Sequence, residues 1–295
     1  MFANPHWQIH FSVFLWGFTA ILGKLITLAA LPLVFWRVLI VSVCLCVCLP
    51  VWRQLRRIEA RDVRLAVANG ALVVLHWLCF YGSIKAANAS VAATCMALAP
   101  VFLSVVEPLW RRQPFALRDL AVALACVPGV ALVVGGIPGS MYWGMLLGVL
   151  AAFLAALFGL VNKSLAMRMP ALALTSIQMG TGALLLAATL PFWSMFGLAV
   201  HWPAPEDWLW LAVLALACTL LPFALSLVAL RRLSAFSAQL AVNLEPVYAI
   251  VLAAILLGEG GELRWTFYAG VALILAAVLG YAFLPRGERS RPAVE

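Results

Sequence analysis

Charge is what this chain has least of. Only 10% of its residues are Asp, Glu, Lys or Arg, against about 25% in an ordinary soluble chain. Hydrophobic residues make up 66% and mean hydropathy is +1.08, so a water-soluble globule is excluded: no aqueous core could hide so much apolar surface. No hydrophilic domain or long linker interrupts the apolar runs. No nucleotide-binding motif, HExxH or GxSxG is present, which argues against an ATP-driven machine and against an intramembrane hydrolase. The 7 cysteines all lie in apolar runs and are odd in number, so no disulfide framework is expected. Cys44 and Cys48 of the run CLCVC share a helical face, but no His or carboxylate accompanies them; they read as small lipid-compatible residues, with no metal and no cofactor implied.

What is there is a series of long apolar runs. A bilayer core of about 30 Å needs roughly 20 apolar residues per helix. Turns and charges divide the chain into ten such runs, near 8–28, 32–52, 64–84, 87–109, 116–136, 141–162, 171–196, 207–230, 234–257 and 265–284. They are continuous and not alternating, so helices are expected and not a barrel. The first run lacks a basic start and a small-residue cleavage site and is expected to stay as a helix. The fold expected is an all-α polytopic membrane protein of ten transmembrane helices.

The net charge of +8 fits this plan better than nucleic-acid binding, since basic residues orient membrane helices. With both termini cytoplasmic, the outside segments hold only Lys24, Lys85 and Arg264, and Arg37 lies within a span. Every other basic residue falls inside. Trp143, Trp193, Trp202 and Trp208 fall near the outer ends, as an aromatic belt would.

The chain also repeats itself. Shifted by 146 residues, KAANASVAATCMALAPVFLSVVEPLWRRQ (85–113) lies without a gap over RRLSAFSAQLAVNLEPVYAIVLAAILLGE (231–259). Pro100 meets Pro246, a costly coincidence inside an apolar helix because proline removes a backbone hydrogen bond. The copies are helices four and nine of ten. Five helices being an odd number, the second half must run the opposite way through the bilayer. Residues 1–137 and 138–295 are thus expected to form an inverted 5+5 repeat, a common plan of secondary transporters with the site between the halves.

These segments carry a resemblance. WGFTAILGKLI followed by PLVFWRVLIVS, then LAPVFLSVVEPLWRR, LEPVYAIVLAAILLGE and the Gly-rich YAGVALILAAVLG resemble the ten-helix EamA type of the drug/metabolite transporter superfamily. The likeness spans the chain in two copies; its departure is Gln113, which replaces the usual acidic residue ending helix four, while Glu107 stands earlier. The resemblance implies movement of a small polar metabolite without ATP, usually outward and across a bacterial inner membrane. An amino acid or amino-acid-derived compound suits it, metal-chelating ones included. Uptake by the same fold and multidrug efflux are the alternatives. The protein is read as a non-enzyme whose partners are a small-molecule substrate and the lipid bilayer, with no nucleic acid. Proton coupling stands as one option, and the chain as monomer or homodimer.

Polar residues at depth are the candidate site, since a charge at a helix centre costs about 2.5–3.5 kcal/mol on insertion scales and faces protein or water. Glu245 lies about 16 Å into the ninth run, and Pro246 beside it is expected to kink the helix and free the carbonyl of Val242, as discontinuous helices do where they build polar sites in lipid. Gln239 and Asn243 share a face of the same helix, though not the face of Glu245. His76, Trp77 and Tyr81 in the third run, and Trp16 in the first, are candidate substrate contacts. Pro246, Pro100, Arg37 and Gln178 are candidate hinges or gates. Arg37 either binds a substrate carboxylate, snorkels outward, or pairs with Glu259 or Glu262. Asn162 and Glu107 read as gate or cap groups, and Gly144 with Gly148 as a close helix-packing pair.

Overall fold

A computed structural model describes residues 4–112, 114–115, 117–196, 202–233, 241–242, 244–261 and 263–280. Among these residues there is no strand; the chain is all-α. In order, the helices are α1 (Pro5–Leu25), α2 (Ala30–Cys46), α3 (Leu49–Leu55), α4 (Ala60–Ala86), α5 (Ala89–Met96), α6 (Ala99–Arg111), α7 (Leu117–Gly136), α8 (Tyr142–Ala166), α9 (Ala171–Thr189), α10 (Pro205–Ala212), α11 (Leu221–Leu230), α12 (Glu245–Leu256) and α13 (Trp265–Gly280), with a π-helical stretch, Val213–Leu220, joining α10 to α11. Five helical stretches are long and apolar enough to cross a membrane: Ala60–Ala86, Ala89–Trp110, Gly139–Ala166, Ala171–Met195 and Pro205–Leu230. Shorter apolar helices cover Leu124–Gly136, Glu245–Leu256 and Trp265–Ala277. This is a polytopic membrane fold.

The run at 32–52 is not one straight helix. α2 ends at Cys46, and α3 leaves it at 88°. Pro50 has no N–H to continue α2 but fits the first turn of a new helix, with Cys48 extended before it. Arg53 and the exposed Trp52 then ride on α3, the composition of a segment lying at a membrane surface.

Packing is mostly between the two sequence halves. α1 lies against α11 and α12; α4 lies against α8 and α9; α2 packs on α9, α5 on both α8 and α12, and α7 on α13. The GxxxG pair on α8 works as expected of small residues. A Cβ on Gly144 would come 2.6 Å from the Ala87 Cβ, and one on Gly148 would come 2.9 Å from the Cys95 Sγ, so α8 meets the end of α4 and the body of α5 almost backbone to backbone. Trp193 does not sit in a belt. It is buried against Phe35 and donates its indole N–H to Thr189 Oγ1, while Trp143 and Trp202 are exposed.

The proline pair marks where two helical stretches are interrupted. Pro246 stands in the first turn of α12, and Pro100 in the first turn of α6, where the missing N–H is one that no helix uses. Each new helix follows a tight turn. Leu98 N–H donates to the Cys95 carbonyl, and Leu244 N–H to the Ala241 carbonyl, both at 3.0 Å. An α-helix therefore begins at Glu245, directly before its proline.

Candidate functional site

Arg37 is the organising side chain. It is the eighth residue of α2 and is only 2% exposed. Its Nε donates to Thr219 Oγ1 at 2.6 Å and its Nη1 to the Tyr81 hydroxyl at 2.8 Å. Its guanidinium carbon lies 3.8 Å above the Trp77 ring, a cation–π contact. Those bonds occupy two of the five N–H donors of the group. Trp77 meets Phe223 edge-on at 5.7 Å, and Phe223 meets Trp16 at 6.2 Å, so an aromatic wall runs from α4 through α11 to α1. Tyr81 and Trp77 are buried; Trp16 is half-buried.

The π-helical stretch is what presents Thr219. Pro222 cannot give an N–H to the preceding turn, and the helix widens before it. The Thr219 hydroxyl donates five residues back to the Leu214 carbonyl at 2.6 Å and so turns a lone pair to Arg37. Thr219, Pro222 and Phe223 escaped the sequence reading. The signal was a polar residue three positions before a proline inside the apolar run at 207–230.

Glu245 opens α12 and is half-buried, with the positive end of the α12 dipole at its backbone. It acts electrostatically on Arg37, yet no ion pair joins the two. Among the described residues, no carboxylate touches Arg37. The anticipated pair with Glu259 is not made, because Glu259 is taken up elsewhere. Its carboxylate accepts from Ala89 N–H at 3.0 Å, Ser90 N–H at 2.9 Å and Ser90 Oγ at 2.7 Å, capping α5. Glu262, Gln239 and Asn243 lie outside the described residues.

The remaining candidates stand apart. His76 faces α8, where its Nδ1–H donates to the Ala151 carbonyl at 2.8 Å, and its ring stacks on Phe80 and meets Phe158. The carbonyl can only accept, so Nδ1 carries the proton. Gln178, on α9, is buried and donates to Asn162 Oδ1 at 2.7 Å. Glu107 lies 3.6 Å from Lys163, a partly exposed ion pair.

Two clasps close the ends of the bundle. At one end, Asp207 accepts from the Thr27 N–H at 2.9 Å and its hydroxyl at 2.6 Å, and Lys85 Nζ donates to the Ile26 carbonyl. The end of α4 and the start of α10 thus hold the α1–α2 linker. At the other end, Arg168 lies 3.1 Å from Asp62, and Arg231 donates to the carbonyls of Ala166 and Met169. There the start of α4 and the end of α11 hold the α8–α9 linker. Asp62 and Lys85 are about 35 Å apart along α4 at 1.5 Å per residue.

A half-buried acid, a guanidinium that meets no carboxylate among the described residues and an aromatic wall thus lie in the interior of a polytopic bundle. Similarity to known proteins agrees: the EamA-like transporter family matches residues 7–135 and 142–283. The chain belongs to the EamA-like transporter family. It is 27% identical over 233 residues to the uncharacterized transporter YxxF of Bacillus subtilis (strain 168), covering 75% of this chain and 73% of that one. It is 24% identical over 200 residues to an uncharacterized transporter of Archaeoglobus fulgidus, covering 68% and 69%. A solved crystal structure shares the fold with a TM-score of 0.64 at 14% identity, over 94% of this chain and 95% of the other. The EamA-like match falls as two copies, one on each side of the linker between α7 and α8.

Proposed function

We propose that this EamA-like protein is a secondary transporter that exports an amino acid or amino-acid-derived zwitterion by alternating access. The observation that carries this reading is the Arg37–Glu245 relationship: opposite charges in one interior, each without a direct counterion among the described residues, beside Trp16, Trp77 and Phe223. A buried guanidinium and a carboxylate held apart match the carboxylate and the ammonium of a zwitterion. Glu245 takes the amine and Arg37 the carboxylate, with the aromatic wall receiving an apolar side chain.

Ten crossings, arranged as inverted halves 1–137 and 138–295, account for the packing. Exchanging the halves sends the contact of α1 with α11 to that of α8 with α4, and the contact of α1 with α12 to that of α8 with α6. It likewise sends the Lys85–Asp207 clasp to the Arg231–Asp62 clasp. Two equivalent clasps at opposite ends are what alternating access requires, each opening while the other holds. The charge bias favours a bacterial inner membrane with both termini in the cytoplasm.

The test is counterflow of labelled amino acids and their derivatives in proteoliposomes, together with export from cells carrying Glu245→Gln. Counterflow in the native protein, and its loss in Glu245→Gln with the protein still in the membrane, are expected. Unchanged flux in that variant removes Glu245 from the mechanism, and no flux of any zwitterion removes the substrate class.

A further inference from the structure

We propose that Asn69, Asn162 and Gln178 form a binding site for a small monovalent cation, with Na+ as the ion that fits a set of neutral oxygens. The site is separate from the Arg37–Glu245 pair and does not rest on the transport reading. All three amides are at least nine-tenths buried: Asn69 is 1% exposed, Asn162 7% and Gln178 0%. They join three helices, with Asn69 on α4, Asn162 on α8 and Gln178 on α9.

Their orientation follows from a carbonyl. Asn69 Nδ2 donates to the Phe158 carbonyl at 3.4 Å, which sets its nitrogen towards α8. The same nitrogen donates to Asn162 Oδ1 at 2.9 Å, and Gln178 Nε2 donates to that oxygen at 2.7 Å. One oxygen thus receives both donors. The consequence is that Asn69 Oδ1 and Gln178 Oε1 are both buried with no hydrogen-bond partner. A buried acceptor without a donor costs free energy, and two attached to one hub call for a positively polarised ligand. No charged side chain takes part in these hydrogen bonds. Neutral amide oxygens suit a monovalent ion better than a divalent one, whose sites are usually built with carboxylates.

The first half of the chain shows what such an ion replaces. Arg37 stands seven residues from the start of α2, and Gln178 seven residues from the start of α9, the helix on which α2 packs. In the first half, a built-in guanidinium meets hydroxyl oxygens of Thr219 and Tyr81. In the second, the matching place holds an amide whose oxygen is left over. A bound cation there supplies the charge that the side chain lacks, and it ties α4 to α8 and α9. α4 and α9 pack closely beside the amides: a Cβ on Gly70 would come 2.9 Å from the Gln178 Cα.

The test uses the purified full-length protein in detergent, with Na+, K+ or choline chloride at equal ionic strength. Na+ is expected to raise the unfolding midpoint by about 3–6 °C over choline, and radioactive Na+ to bind at one ion per chain. Gln178→Met should lose both effects. Because that variant can fail to fold, two others decide the matter. Gln178→Glu keeps the oxygen and adds charge, so it should bind Na+ more tightly. Gln178→Lys carries its own cation, so its midpoint should no longer depend on Na+. A native midpoint indifferent to Na+, or a Na+ response unchanged in Gln178→Lys, overturns the proposal.

Discussion

Leu98 and Leu244, 146 residues apart, hold the same backbone conformation. Leu98 has φ −83° and ψ −10°, and Leu244 has φ −82° and ψ −15°. Each precedes a helix with proline in its first turn, and each carbonyl accepts from the residue four ahead, Phe102 at 3.1 Å and Tyr248 at 3.0 Å. The sequence repeat is therefore a repeat of backbone geometry at the level of single hydrogen bonds.

Pro100→Ala and Pro246→Ala restore an N–H at each turn and allow the helix to run through. Each is expected to lower counterflow several-fold with affinity changed in step, as hinge substitutions do. Thermal stability should stay level or rise, since alanine favours helix. Counterflow and unfolding midpoints of the two single variants check this; equal flux in native protein and both variants shows that the turns are rigid.

Arg37→Lys keeps the charge but loses the planar fork on Thr219, Tyr81 and Trp77. If Arg37 holds a substrate carboxylate, losing charge-assisted bonds worth about 1.5–3 kcal/mol weakens zwitterion binding roughly 10- to 150-fold. A decarboxylated amine analogue should lose much less. Competition of both ligands for labelled substrate gives the comparison.

The clasps should act on opposite faces. Asp207→Ala releases Thr27, and Asp62→Ala releases Arg168. With a single reporter cysteine at Trp16 and the native cysteines replaced by serine, a membrane-impermeant thiol reagent reads access from each side. Labelling should quicken in intact cells for Asp207→Ala and in inverted vesicles for Asp62→Ala. Equal acceleration from one side by both variants removes the gating role.

Gly148→Leu places a branched side chain where a Cβ alone is 2.9 Å from both Cys95 Sγ and Ser83 Oγ. Overpacking at this contact of α8 with α4 and α5 should cost about 1–3 kcal/mol. The lowered unfolding midpoint is the readout, with Gly159→Ala, which meets nothing within 4 Å, as the neutral control.

Much of this was legible in one dimension because it depends on composition and periodicity. Membrane insertion follows from apolar runs, and the two-copy plan from the 146-residue shift. What escaped involved partners distant in sequence. Glu259 looked like a partner for Arg37, but it sits 170 positions after the Ala89 amide that it caps. Trp193 looked interfacial and is buried against Phe35. His76, beside Trp77 in sequence, turns to α8 while Trp77 turns to Arg37, because neighbours on a helix lie about 100° apart.

The sequence by itself determined that this is a helical membrane protein built twice over, since hydrocarbon accepts only backbones that satisfy their own hydrogen bonds and tolerates few charges. Only the tertiary structure decided which polar groups meet: Arg37 with Thr219 and Tyr81, Gln178 with Asn162, Asp207 with Thr27. The reason is that a buried polar side chain takes whatever donor or acceptor the packing of other helices brings within about 3 Å, and packing is a property of the whole bundle and not of any one run of residues.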